Sequence, residues 1–204
     1  QRVVDPFAPP SAEAAKRERA ENWRFNFLTK FTGFFRKTGL SQTRNTRKLR
    51  AYRNKHKGER CFLIGNGPSL TMADLEKVQG EVTFCCNLIY KIFNGTTWRP
   101  TYYCTNDLVF SRTIAHEFAR YVTMPMFTPR VAYHKMKYRP RDTTYVWSVR
   151  EDDFYVRPNI LDYYLPAKAT VMVMMIELAM YMGFKEIYLL GVDCSNGFVG
   201  NSHF

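Results

Sequence analysis

A chain of 204 residues has room for one α/β domain and an appendage, and 46% hydrophobic residues are enough to build a core. Its net charge of +12 is uneven: residues 1 to 60 contain 16 Lys and Arg against 5 Asp and Glu, and residues 61 to 204 contain 14 against 13. No stretch reaches the roughly 18 apolar residues of a membrane span, and the N-terminus lacks a signal-peptide pattern. These features predict a globular protein, not exported, whose basic character lies in its N-terminal segment.

The N-terminal segment, residues 1 to 57, is interpreted as a basic helical extension and linker. Between residues 11 and 40 the aromatic residues recur at steps of three or four and so share one helical face, whereas the other face is basic. They are Trp23, Phe27, Phe31, Phe34 and Phe35. Such a helix can lie on an anionic membrane, or its stripe can pack on the domain or on a second subunit. We favour packing, because aromatic residues that share one face of a helix usually belong to a core. We interpret residues 43 to 60 as a solvated helix or linker.

From residue 61 onward, apolar runs alternate with helical patterns. The pattern predicts strands at 61 to 64, 82 to 86, 101 to 105, 121 to 127, 143 to 149 and 186 to 192, the last of them central. Helices are expected at 71 to 79, 111 to 120 and 169 to 182. This alternation is typical of an α/β fold with a doubly wound, mostly parallel sheet, formed by residues 58 to 204. Four of the five cysteines fall within predicted strands, which favours reduced core thiols in a cytoplasm.

A glycine-rich turn follows the first predicted strand. Gly65 and Gly67 allow the backbone to turn sharply and to approach a ligand closely. After them, Thr71 and Asp74 have the spacing of a capping box, so a helix N-terminus faces the turn. The turn is therefore a candidate site for an anion.

Polar residues also follow several other predicted strands. In open α/β sheets ligands bind outside the carboxyl ends of the strands, so these residues are expected to converge on one crevice. Asparagine amides bring no negative charge, which suits a nucleotide better than a metal. The candidate nucleotide-binding residues at these ends are Gly65, Asn66, Gly67, Ser69, Asn87, Asn106, Asp107, Gly191 and Asp193.

An ordered set of motifs resembles a known group of proteins. The motifs are Gly65-Asn-Gly-Pro-Ser-Leu70, Cys86-Asn87, Thr170-Val, Gly183 to Asp193 and Asn201-Ser-His-Phe204. Over roughly residues 58 to 204 this set is similar to the bacterial family 42 sialyltransferases. It is also similar to the related domain called 6-hydroxymethylpterin diphosphokinase MptE-like, found in motility-associated flagellin glycosyltransferases. The resemblance implies a Rossmann-like fold and a CMP-activated sugar donor, with neither a metal nor another cofactor.

The resemblance also implies roles for individual residues. Those in the nucleotide turn would be Gly65, Asn66 and Ser69, with Asn87 at the ribose and phosphate, Asn106 near the nucleotide, Thr170 beside the donor and Gly191 on the crevice floor. Two departures stand out. Thr170-Val-Met replaces a Thr-Ser-Gly motif, and the catalytic histidine expected four residues beyond the Asn-Ser-His match has no counterpart before Phe204. We therefore expect a truncated C-terminus and take His203 as the candidate catalytic base.

The resulting hypothesis is a metal-independent glycosyltransferase that modifies a bacterial surface or flagellar glycan or glycoprotein. It would act in the cytoplasm, without a specific nucleic acid, as a monomer or a homo-oligomer. Attachment of residues 11 to 40 to the anionic inner face of the membrane is the alternative to their packing. One alternative is a 6-hydroxymethylpterin diphosphokinase that needs ATP and Mg²⁺, with Asp107 or Asp193 as metal contacts. Another is a non-catalytic membrane-associated protein of the same fold. The basic aromatic loop from Arg130 to Arg141 is interpreted as solvated in preference to ligand-binding.

Overall fold

The structure is a computed structural model that describes residues 12–38, 40–41, 43–106, 119–130, 139–149, 165–166 and 170–193. Its helices are α1 (Ala12–Lys37), α2 (Arg44–Tyr52), α3 (Met72–Lys77), a 3₁₀ helix (Asn87–Asn94) and α4 (Val171–Met182). Its strands are β1 (Arg60–Ile64), β2 (Thr83–Cys86), β3 (Tyr102–Cys104), β4 (Met126–Pro129), β5 (Thr143–Val146), β6 (Ser148–Val149), β7 (Leu165–Pro166) and β8 (Glu186–Leu190).

Six of the strands form one sheet in the order β5-β4-β3-β2-β1-β8. Every neighbouring pair is parallel. The direction in which strands are added reverses at β1, which lies between β2 and β8. Loops diverge at such a reversal and leave a crevice outside the carboxyl ends of the strands. The predicted α/β fold with a doubly wound, parallel sheet is thus confirmed, and the crevice is expected beyond β1 and β8.

Each face of the sheet supports a separate hydrophobic core, because successive side chains of a strand point to opposite faces. Cys61, Leu63 and Phe84 pack with α2 and α4 on one face. Ile64 and Cys85 pack with α3 and the 3₁₀ helix on the other. The four cysteines of the described residues are free and buried. Burial raises the pKa of Cys61 to about 12, so this thiol stays protonated and acts as a packing group.

Helix α2 is an integral part of the domain. Its Leu49 is fully buried and its Tyr52 joins the same core as α4. The Asn45 side chain donates to the carbonyl of Tyr145 on β5 and accepts from the Tyr145 N–H, both at 2.8 Å. The interpretation of residues 43 to 60 as a solvated helix or linker is therefore wrong for α2. The boundary between residues 57 and 58 stays a prediction.

Three predicted strands differ in the structure. β8 pairs with β1 alone among the described residues, so it is an edge strand and not a central one, and its Leu189 is 50% exposed. The strand predicted at 143 to 149 breaks at Trp147, where β6 leaves the sheet to pair with β7. The strand predicted at 121 to 127 begins only at Met126, because Tyr121 still belongs to a helical turn. Apolar runs alone do not locate such boundaries.

Helix α1 exposes the aromatic stripe. Trp23 is 67% exposed and Phe31 is 56% exposed, so these side chains do not pack on the domain of the same chain, and their packing on a second subunit stays a prediction. The rings stack on one another instead, with centroids 5.5 Å apart between Trp23 and Phe27. Among the described residues no helix combines the length and the apolar character needed to cross a bilayer.

We predict that Asn45→Ala lowers the free energy of unfolding by about 1–3 kcal/mol, because it leaves the Tyr145 N–H without its partner in a buried strand. Chemical denaturation monitored by circular dichroism measures the change. Arg47→Ala is the matched control, since Arg47 is an exposed residue of the same helix. Equal stability of the two variants would contradict the assigned role of Asn45.

Candidate functional site

The turns after β1 and β8 are hydrogen-bonded to each other. The Gly65 N–H donates to the carbonyl of Leu190 and the Gly67 N–H donates to the carbonyl of Gly191, both at 2.8 Å. A Cβ on Gly65 would lie 2.4 Å from the Gly191 carbonyl oxygen, and a Cβ on Gly67 would lie 2.7 Å from it. Both glycines are therefore required by the close approach of two backbones. We call residues 65–69 and 191–193 together the β1–β8 clasp.

A carboxylate completes the clasp. The Ser69 N–H donates to Oδ2 of Asp193 at 2.9 Å, and the Ser69 hydroxyl donates to Oδ1. These hydrogen bonds hold the pKa of Asp193 below its usual value, so the carboxylate is ionised at neutral pH. The anion that faces the turn in this structure is thus a side chain of the same chain, and the binding of an external anion there stays a prediction.

The predicted capping box is confirmed. The Thr71 hydroxyl accepts from the Asp74 N–H, and the Asp74 carboxylate accepts from the Thr71 N–H, both at 3.2 Å. The N-terminal N–H groups of α3 are thus partly satisfied internally. Together with the Ser69–Asp193 pair, this leaves fewer backbone donors for an external phosphate than the sequence pattern indicates.

Two asparagine side chains lie beyond the carboxyl ends of β1 and β2. Asn66 donates through Nδ2 to the carbonyl of Cys86 at 3.2 Å, which fixes the orientation of its amide. Asn87 adopts the left-handed conformation with φ of 52°. The Oδ1 atoms of both residues are shielded from solvent and accept no hydrogen bond from the described residues. A buried acceptor without a partner costs about 1–3 kcal/mol, so a ligand that brought N–H or O–H donors and displaced the groups that shield these oxygens would offset that cost.

Tyr103 is a supporting residue that the sequence did not indicate. Its hydroxyl donates to the main-chain carbonyl of Asn87 and so helps to hold that residue in its left-handed conformation. Burial raises the pKa of Tyr103 well above its usual value, so the hydroxyl remains a donor. Tyr103 lies in the middle of β3, where its alternation pattern is that of any core residue, and a single sequence offers no signal for this role.

The remaining candidates are less closely connected. Asn106 follows β3 and is half-buried, and exposed Thr170 is the N-cap of α4. A helix that precedes a parallel strand runs back across the sheet, so the start of α4 lies toward the same edge as the carboxyl ends of the strands. Asp107 and His203 lie outside the described residues. The structure thus connects Gly65, Asn66, Gly67, Ser69, Asn87, Gly191 and Asp193 directly through hydrogen bonds and chain neighbours.

The parallel sheet and its reversal at β1 define a Rossmann-like α/β protein. The family model for 6-hydroxymethylpterin diphosphokinase MptE-like proteins matches residues 38–197. Because this match spans more than half of the chain, the chain belongs to the MptE-like family, a transferase-like group, and the predicted resemblance to it is confirmed. The match begins before α2, in agreement with the packing of that helix into the core. No curated protein matches the chain significantly.

We predict that Gly67→Ala destabilises the protein by about 1–3 kcal/mol, because its Cβ would overlap Asp193 and the Gly191 carbonyl. Thermal unfolding measures the effect. Gly95→Ala is the control, since its nearest atom would be the Ile92 carbonyl oxygen at 3.6 Å, an ordinary contact. If both variants unfolded at the same temperature, the β1–β8 clasp would not depend on the glycine.

Proposed function

We propose that the chain is a nucleotide-dependent transferase whose donor nucleotide binds in the crevice beside the β1–β8 clasp. The finer proposal is a glycosyltransferase that takes a CMP-linked sugar and transfers it to a bacterial surface or flagellar glycan. A general base, for which His203 is our candidate, would deprotonate the acceptor hydroxyl. No metal takes part in this version of the reaction.

The observation that carries this proposal is the pair of amide oxygens on Asn66 and Asn87. They accept no hydrogen bond from the described residues and adjoin the point where the strand order reverses. Cytosine presents an amino donor, and ribose presents hydroxyl donors, so a cytidine nucleotide supplies the groups that these oxygens need. A phosphate alone has acceptors only when ionised, which makes the nucleoside part the better partner for the two asparagines.

The second candidate is a diphosphokinase, which the description of the matching family favours. ATP also carries an amino group and ribose hydroxyls, so the two asparagines fit it as well. This reaction would need Mg²⁺ at Asp107 or Asp193. Each carboxylate oxygen of Asp193 already accepts a hydrogen bond from Ser69, so Asp193 would have to share its lone pairs with the ion. For this reason we prefer the glycosyltransferase.

We predict that Asn87→Gly raises the Kd for CMP about tenfold, equivalent to about 1.4 kcal/mol. Glycine keeps the left-handed conformation and removes only the amide. The matched control is Asn54→Gly, because Asn54 also has a positive φ of 54° but lies beside Gly183, away from the crevice. Isothermal titration calorimetry measures both variants, and Asn66→Ala tests the partner amide. Unchanged CMP affinity in Asn87→Gly and Asn66→Ala would refute the site.

A thermal-shift panel separates the two reactions. Stabilisation by CMP or CDP without added metal supports the glycosyltransferase, whereas stabilisation by ATP only in the presence of Mg²⁺ supports the diphosphokinase. The third candidate, a non-catalytic protein of this fold, predicts no response to any of these nucleotides.

We further propose that α1 attaches the protein to an anionic membrane surface. The helix contains seven Lys and Arg against three Asp and Glu, and it exposes Trp23, Phe27, Phe31 and Phe34. Aromatic side chains can enter the interface between headgroups and acyl chains while basic side chains contact anionic lipids. A second copy of the chain could cover the same stripe, and measurement of the oligomeric state beside vesicle binding distinguishes that outcome.

We predict that the double variant Trp23→Ser/Phe31→Ser loses at least about tenfold in affinity for vesicles of phosphatidylcholine and phosphatidylglycerol, because it removes two of the exposed rings. Co-sedimentation measures binding, and light scattering measures oligomeric state. Leu189→Ser, at an exposed apolar residue of β8, is the control. Wild-type chain that dimerises through the stripe and ignores the vesicles would contradict the membrane assignment.

A further inference from the structure

A cavity of about 610 Å³ lies between α2 and the β4–β5 edge of the sheet. It is distant from the β1–β8 clasp, since β5 is four strands from β1 and each step is about 4.8 Å. Its volume is typical of a site for a small organic ligand. Its lining includes Thr43, Arg44, Lys48, Arg139, Arg141 and Trp147.

The lining is strongly basic. Arg44, Lys48, Arg130, Arg139 and Arg141 all border the cavity, and none of the described residues that line it is acidic. Asp142 forms an ion pair with Lys48 at 2.6 Å. Arg44 and Arg141 are exposed and form no ion pair with any described acidic residue. Arg44 and Arg141 therefore bring to the cavity two positive charges that no described carboxylate neutralises, and a bound polyanion would neutralise them.

Two further features of the wall restrict the ligand. Thr43 is the N-cap of α2, a helix of nine residues without an acidic side chain in its first turn, so the positive end of its dipole opens toward the cavity. Rings of Tyr145 and Trp147 form an aromatic part of the lining, with the Arg130 guanidinium 5.7 and 5.8 Å from their centroids. The cavity thus combines cationic groups with a surface suited to a ring.

We propose that this cavity is a second binding site, which takes a diphosphate ester whose ring lies against Tyr145 and Trp147. Guanidinium groups bind phosphate oxygens in a bidentate manner, which a diphosphate with several oxygens can satisfy at Arg44 and Arg141 together. A soluble nucleoside diphosphate and the sugar diphosphate headgroup of a polyprenyl lipid share this chemistry, because each combines a diphosphate with a ring. The site is independent of the crevice, because it uses none of the residues of the clasp, Asn66 or Asn87.

Calorimetry with inorganic pyrophosphate at low salt tests the cationic part of the site. We expect one binding event, weakened by about tenfold or more in the double variant Arg44→Ala/Arg141→Ala. The double variant Arg47→Ala/Arg53→Ala is the matched control, because it also removes two positive charges, at exposed residues that do not line the cavity. An equal loss of affinity in this control would show attraction by net charge alone and would overturn the proposal. Circular dichroism verifies that the variants fold. Arg44→Lys keeps the positive charge but loses the bidentate geometry of the guanidinium, so it should bind pyrophosphate with intermediate affinity.

Two further arms identify the ligand. ADP and vesicles that contain a polyprenyl diphosphate sugar each add a ring to the diphosphate, and each is compared with pyrophosphate. Tighter binding of either one supports the ring contact and identifies the source of the ligand. If neither binds more tightly than pyrophosphate, the assigned role of Tyr145 and Trp147 is wrong. Asn87→Gly must leave pyrophosphate binding unchanged. Loss of binding in Asn87→Gly but not in the arginine pair would move the anion to the crevice and overturn the second site, whatever the fate of the proposed function.

Discussion

The close approach of two backbone turns at the carboxyl edge of the sheet is the constraint on which the candidate site depends. Gly65 and Gly67 lie so near to the Gly191 carbonyl that no side chain fits between them. This contact joins β1 to β8 at the position where the strand order reverses. Asp193 then reaches Ser69 and links the two turns through a charged hydrogen bond. The turns after β1 and β8 owe their arrangement to this link, and Asn66 and Asn87 lie at the same carboxyl edge of the sheet.

Much of the fold could be predicted, because strands that are buried on both faces of a parallel sheet are recognisable in the sequence as short apolar runs. Apolar runs between helical patterns located β1, β2 and α4 to within a few residues. The predicted central position of β8 was wrong, since an apolar run does not show how many neighbours a strand has. The role of α2 was also missed, because its burial depends on Leu49 and Tyr52 within a strongly basic segment.

The close approach at the glycine turn could be predicted from the sequence, but the group that makes this approach could not. A glycine pattern shows that something approaches the backbone closely, and it does not show whether that partner is a ligand or another turn. Here the partner is the end of β8, and the anion at Ser69 is Asp193. The amide oxygens of Asn66 and Asn87 accept no hydrogen bond from the described residues, and their positions depend on the local main chain, including the left-handed conformation of Asn87. These features arise from tertiary contacts, so they cannot be predicted from a single sequence.

A structure of the chain crystallised with CMP tests the central claim most directly. The account predicts cytidine at the carboxyl ends of β1 and β2, with a base or ribose donor within about 3.2 Å of Oδ1 of Asn66 or Asn87. Asp193 should remain bound to Ser69, since the clasp supports the crevice without contacting the base. CMP found only in the basic cavity beside α2, with both amide oxygens still lacking a donor, would contradict the account.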